Sequence, residues 1–105
     1  MNTQFKKGVL ELCVLALLSR KEYYGYEIVS LISETIEISE GTMYPLLKRL
    51  KDDGLVSTRL VESSQGPSRK YYSLTASGQE YTKIKIDEWF DFTDHVDELL
   101  KGDTL

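Results

Sequence analysis

Residues Val9 to Leu18 put an apolar side chain on every side of a helical projection, through Val9, Leu10, Leu12, Cys13, Val14, Leu15, Leu17 and Leu18, interrupted by Glu11 alone. A helix of that kind either is buried all round or crosses a membrane. Ten residues fall far short of the ~20 that a bilayer requires. The stretch from about Lys7 to Leu18 therefore predicts a core helix, around which the rest of the chain must pack. Lys6 and Lys7 imitate a secretory leader, but no small-x-small cleavage site follows, and Ser19-Arg20-Lys21-Glu22 leads into another periodic segment. The single cysteine, Cys13, cannot close an internal disulfide and reads as an inert buried thiol. Together these features predict a cytoplasmic protein with no membrane partner.

With 105 residues the chain has room for one domain and an appendage. A chain that short leaves much of its surface uncovered, and association is the natural remedy. Tyr26 to about Thr35 sets Ile28, Val29, Leu31 and Ile32 against Glu27, Ser30, Ser33 and Glu34, an amphipathic surface helix that Gly25 lets start in a tight turn. Ser39 is a candidate N-cap for a third helix, in which Met43, Leu46, Leu47 and Leu50 recur at i, i+3, i+4 and i+7. Thr42, Tyr44, Lys48, Arg49 and Lys51 occupy its other sides. Pro45 implies that this helix starts late or bends in its first turn. Gly54 supplies the stop.

Leu55 to Val61 and Arg69 to Leu74 read as two short strands joined by the polar turn 62–68, with Tyr72 and Leu74 facing inward and Tyr71 outward. Helix, helix, short turn, basic helix and hairpin is the order of a winged helix-turn-helix. In such motifs the second helix of the pair enters the major groove and the hairpin touches the adjacent backbone. The net charge of −4 argues against a polyanion only until it is split. Residues 1–74 carry ten Lys/Arg against nine Asp/Glu, whereas residues 75–105 carry three against eight. The clusters Lys48, Arg49, Lys51 and Arg59, Arg69, Lys70 all lie in the first part, where local charge and not the total decides phosphate binding.

The last segment opens at Thr75 or at Ser77, which would form a capping box with Glu80, and runs as one long helix to about Leu100, before Gly102. At about 100° per residue, Tyr81, Ile84, Trp89, Phe92, Val96, Leu99 and Leu100 fall in one broad arc that Ile86 and Phe90 widen. That is more apolar surface than a small domain covers by itself. A second copy is the simplest cover, which predicts a two-fold homodimer. The expected organisation is a DNA-binding unit over 1–74 and a dimerisation helix over 75–105. The fold class is mainly α with a small β-hairpin: a winged helix-turn-helix plus one long C-terminal helix.

Four segments in this order carry a resemblance. Tyr24-Gly25-Tyr26-Glu27-Ile28, then Gly41 through Leu50 (Gly-Thr-Met-Tyr-Pro-Leu-Leu-Lys-Arg-Leu), then Asp53-Gly54-Leu55-Val56, and Arg69-Lys70-Tyr71-Tyr72-Ser73-Leu74-Thr75 followed by Gly78 resemble the PadR family of bacterial transcriptional regulators. The likeness covers nearly the whole chain, and the single closing helix is similar to the short PadR subgroup. The resemblance implies a homodimeric winged-helix protein, usually a repressor, that leaves its operator when a small molecule binds. Ser39, Thr42, Tyr44, Lys48 and Arg49 match the recognition-helix positions, and Arg69 and Lys70 the basic edge of the wing. The chemistry agrees. Hydroxyls near a helix N-terminus donate to phosphate oxygens, Lys48, Arg69 and Lys70 neutralise phosphates, and Arg49 reads either a guanine edge or the backbone. Tyr44 and Tyr72 fit the core as well. The partner implied is double-stranded DNA with a pseudo-palindromic operator.

Trp89, midway along the dimer helix, offers a flat face to a planar apolar effector, with Phe92 and Val96 as neighbours; it equally suits plain packing in a dimer core. Asp91 and His95 sit at helical metal-pair spacing, but two ligands on an acidic surface are expected to be solvated, so no metal and no cofactor are predicted. No nucleophile–base set, paired carboxylates or phosphate-cradling loop marks an enzyme. The rival reading is a protein–protein interaction module built on the winged-helix surface, without specific DNA binding.

Overall fold

The structure, a computed structural model, describes residues 3–102, with side chains from residue 8; Asp103 to Leu105 at the end of the expected terminal unit, and the side chains of Lys6 and Lys7, lie outside the described residues. The elements are α1 (Thr3–Leu18), β1 (Tyr23–Tyr24), α2 (Gly25–Ser33), α3 (Glu40–Asp52), β2 (Val56–Ser63), β3 (Gly66–Leu74) and α4 (Ala76–Lys101). None of the helices is long and apolar enough to cross a membrane, among the described residues.

The periodic positions of three helices meet in one core. Leu10, Val14, Leu15 and Leu18 of α1 are buried with Ile28, Val29 and Ile32 of α2, Met43, Leu46, Leu47 and Leu50 of α3, and Val56 and Tyr72 of the sheet. At about 1.5–3 kcal/mol for each buried aliphatic side chain, this cluster dominates the favourable side of folding. The expectation that α1 is buried all round needs correction. Val9, Leu12, Cys13, Ala16 and Leu17 are only half-buried, because the chain supplies full cover on one side of α1 alone. Burial still pushes the Cys13 thiol pKa up, which disfavours the reactive thiolate.

The helix ends follow their local chemistry with two departures from expectation. The α3 helix starts at Glu40, well before Pro45, so it does not start late; the missing proline N–H leaves the Gly41 carbonyl on an exposed stretch where water can serve it. It ends in a Schellman turn: Gly54 at φ +78° donates its N–H to the Lys51 carbonyl (3.0 Å), and Leu55 donates to the Leu50 carbonyl (3.1 Å). The cap of α4 is Thr75, whose hydroxyl oxygen accepts the Gly78 N–H at 3.0 Å. Ser77 does not form the capping box with Glu80, because α4 opens at Ala76 and leaves Ser77 inside its first turn; its hydroxyl donates to the Gly54 carbonyl (3.2 Å), which also accepts the Thr75 hydroxyl (2.7 Å). The Thr75 N–H meanwhile donates to the Leu55 carbonyl at 3.1 Å. The first turn of α4 is thus bolted to the last turn of α3.

The hairpin is longer than its polar stretch implied, and it is not alone. The strands β2 and β3 pair from Val56–Leu74 out to Ser63–Gly66 with an irregularity near Glu62, leaving Ser64 and Gln65 as the turn instead of residues 62–68. The two-residue β1 adds a third antiparallel strand in the order β1-β3-β2, with Tyr23 opposite Tyr72 and Tyr24 opposite Tyr71. Tyr72 faces the core as expected.

The α4 helix runs antiparallel along α1, with Ser19 near its first turn and Gly8 near Trp89 and Phe92. It contributes only Gly78 and Thr82 to the buried set. The radius of gyration is 16.0 Å, against about 13 Å for a compact chain near this length. The closing helix therefore projects from the domain with its apolar residues largely open.

Candidate nucleic-acid interface

The α3 core face fixes what the opposite face presents. With Met43, Leu46, Leu47 and Leu50 inward, the helical repeat turns Gly41, Pro45, Lys48 and Asp52 outward, with Tyr44 and Lys51 on one flank and Thr42 and Arg49 on the other. All eight are exposed. Ser39 holds the N-cap position in extended backbone, but its hydroxyl makes no cap bond and sits 3.1 Å from the Thr42 hydroxyl. The two hydroxyls thus form a small polar pair at the positive end of the helix. Lys48 reaches Asp52 at 2.9 Å, an exposed i,i+4 pair worth a few tenths of a kcal/mol, so a phosphate displaces the carboxylate at little cost. Tyr44 is 40% exposed and is no core residue. Its ring edge lies against Gly25, where an added Cβ would stand only 3.0 Å from the ring. That close approach explains why a glycine opens α2.

Arg49 has a partner that the sequence does not announce. Its guanidinium is ion-paired with Glu11 of α1, which ties it to the domain's own scaffold and away from the outward line. The sequence places Arg49 correctly on the helix but gives no signal that Glu11, the one charge in the apolar run, would meet it.

On the wing, strand alternation sends Arg59, Tyr71 and Tyr24 to the same outer face, in register across β2, β3 and β1. Arg59 is held by Glu22, Nε donating to Oε2 at 3.1 Å with a second nitrogen on Oε1, and that hydrogen bond holds the Glu22 carboxyl below the usual range. Arg69, two residues from Tyr71 on the same face, lies over the Tyr24 ring, 4.7 Å from its centroid. Lys70 is exposed.

Between α1 and α4 runs a cleft of about 270 Å³ lined by Gly8, Glu11, Leu12, Leu15, Tyr81, Lys85, Glu88, Trp89 and Phe92. It unites Trp89 with Phe92 but not with Val96, which lies a turn further along α4. Of the expected dimer residues, Tyr81, Ile84, Phe92, Leu99 and Leu100 are exposed, while Trp89 and Val96 are half-buried.

A model of the transcriptional regulator PadR-like family matches residues 14–84, spanning the end of α1 from Val14, all elements from β1 to β3 and the start of α4. The chain belongs to this family. Among solved structures, a PadR-like transcriptional regulator from Bacillus cereus is 39% identical, with 93% of this chain and 97% of that one covered and a TM-score of 0.83. A PadR-like transcription factor from Bacteroides fragilis is 40% identical, with 92% and 95% covered and a TM-score of 0.81. The negative transcriptional regulator PadR of Bacillus subtilis is 28% identical over 92% of this chain and 53% of its own, so the chain spans about half of that relative.

This PadR-like regulator carries polar features that sequence reasoning missed: the Glu22–Arg59 and Glu11–Arg49 pairs and the Tyr24–Arg69 stack. Each joins residues far apart in the chain, and only the YGYE motif beside Tyr24 hinted at one of them. His95 sets Nδ1 2.7 Å from the Asp91 carbonyl oxygen, and that contact raises its pKa.

Proposed function

We propose that this PadR-like regulator is a homodimeric, sequence-specific repressor that grips a pseudo-palindromic operator and releases it when a planar aromatic or drug-like molecule binds. The observation that carries this reading is the continuity of α3 with the wing. Tyr44 of α3 abuts Gly25, Gly25 follows Tyr24, and Arg69 lies on Tyr24, so the exposed Lys48 and the exposed wing cations border one surface. A negative regulator among the relatives supports repression. Two recognition helices joined by α4 would address half-sites about 34–36 Å apart. Ser39, Thr42 and Tyr44 serve phosphates near the α3 N-terminus, Lys48, Arg69 and Lys70 neutralise the backbone, and Arg49 acts through Glu11 as a brace. The α1–α4 cleft is small for a drug-sized ligand, and a second chain would complete it around Trp89 and Phe92.

Lys48→Ala and Arg69→Ala should each flatten the slope of log K against log salt by about 0.9 for each bound chain, or about 1.8 for a dimer on its operator, with the folded signal kept, on the duplex upstream of the protein's own gene. Unchanged slopes refute these contacts, and a wild type that shifts no duplex at low salt favours the interaction-module reading. Trp89 emission should quench on titration with planar aromatic compounds. Silence over a chemically varied panel assigns Trp89 to packing alone.

A further inference from the structure

The outer face of the three-stranded sheet carries a cation–aromatic row whose two ends differ. Arg59 lies 5.1 Å from the Tyr71 ring centroid, Tyr71 meets Tyr24 edge to face at 5.6 Å and 67°, and Arg69 lies 4.7 Å from the Tyr24 centroid. At one end the Arg59 charge is taken up by Glu22. At the other, Arg69 makes no ion pair or hydrogen bond among the described residues, and the Tyr24 ring is what it rests on. A guanidinium held over an aromatic ring by cation–π attraction retains N–H donors for an anion.

We propose that Tyr24 is a positioning residue for DNA: its ring holds the Arg69 guanidinium ready for a backbone phosphate and sets its distance from the recognition helix. The inference rests on the DNA-binding reading above and adds to it which residue orders the wing. Tyr24 suits the task because its own place is fixed three times over. Its backbone pairs with Tyr71 in the sheet, its N–H donates to Glu27 Oε1 at 3.1 Å as the cap of α2, and its neighbour Gly25 receives the Tyr44 ring of α3. The stack therefore ties the wing cation to the helix-turn-helix through one rigid residue. An arginine otherwise gives up much rotamer freedom when it clamps a phosphate, and a stacked one has given it up already. Arg59, which Glu22 engages through two nitrogens, is the less available of the two arginines for that contact.

The test measures anisotropy of a labelled mixed-sequence duplex at low salt, where phosphate contacts dominate, with thermal melts of every variant. Tyr24→Leu should weaken binding roughly three- to tenfold, while Tyr24→Phe, which keeps the ring and loses the hydroxyl, should stay within about twofold. In the Arg69→Ala background Tyr24→Leu should cost almost nothing more, since coupled residues do not add. A merely structural tyrosine would weaken both backgrounds equally, and that result overturns the proposal. So does wild-type affinity in Tyr24→Leu. Should Tyr24→Leu fail to fold, Arg69→Lys carries the test: it keeps the charge but not the guanidinium that Tyr24 holds, and wild-type affinity there overturns the proposal. A wild type that binds no duplex at all defeats the DNA-binding reading first, which separates the two failures.

Discussion

Alanine in place of Gly78 should lower the melting temperature by roughly 15 °C, the largest loss of stability expected from any single methyl group in this chain. Gly78 is buried in the first full turn of α4 and packs on the backbone of Leu55. A Cβ there would lie inside contact distance of the Leu55 carbonyl oxygen and 3.0 Å from its carbon. Backbone cannot swing aside as a flexible side chain does, so the helix itself must shift. That shift pulls on the bonds that bolt α4 to the end of α3, Thr75 N–H to Leu55 and the Thr75 and Ser77 hydroxyls to Gly54. Overpacking of this kind costs about 3 kcal/mol, near the upper end of what inserted groups usually cost. Gly8→Ala is the control with the opposite sign. Nothing lies within 4 Å of its would-be Cβ, and alanine in a helix should add about 0.5–1 kcal/mol. Thermal melts of the two variants check both signs; equal melting temperatures would mean that α4 does not seat on Leu55.

The reach of sequence reasoning follows from the range of the interactions involved. The α3 helix is legible because Met43, Leu46, Leu47 and Leu50 repeat at helical spacing and Gly54 stops it, all within one local window. The two-residue β1 has no period to read; it exists because Tyr23 and Tyr24 pair with strand residues nearly fifty positions later. Residues 62–68 look like a loop since they are polar throughout, yet backbone pairing needs no apolar alternation and carries the hairpin through most of them. Thr75 and Ser77 have equal capping chemistry, and what sets Thr75 apart is a tertiary bond, its N–H to the Leu55 carbonyl, just ahead of the helix start. Among the site residues, Lys48 is exposed where a helical wheel puts it, whereas Lys70 shares the Tyr72 side of β3 and is exposed only because the wing runs on past the core. Arg49 shares the same basic run but is claimed by Glu11, a partner that no local pattern links to it. The uncovered side of α1 belongs to the same lesson, since an all-round apolar helix says that cover is needed and not which chain provides it.

Phe92→Asp combined with Leu99→Asp should turn the protein into a monomer at micromolar concentration and weaken operator binding by about a hundredfold or more. Tyr81, Phe92 and Leu99 fall within about 20° of one another on the α4 wheel, a stripe about 27 Å long. Phe92 is 61% and Leu99 76% exposed, so neither belongs to the chain's own core. Aspartate at these places removes little that holds one chain together, and the melting of the isolated fold should hardly move. In a dimer closed along this stripe, however, four new carboxylates enter an apolar seam, and burying even two of them costs several kcal/mol each. That raises the dissociation constant of the dimer by about a thousandfold or more. Operator binding then falls because the second half-site is no longer bound from the same molecule, and what is lost is effective concentration, not any contact made by Lys48 or Arg69. The salt slope per bound chain should accordingly stay as it was, unlike that of the Lys48 and Arg69 variants. Sedimentation equilibrium alongside gel shift reads both effects. A double variant that still sediments as a dimer moves the interface elsewhere, to the half-buried side of α1 formed by Val9, Leu12, Cys13 and Ala16.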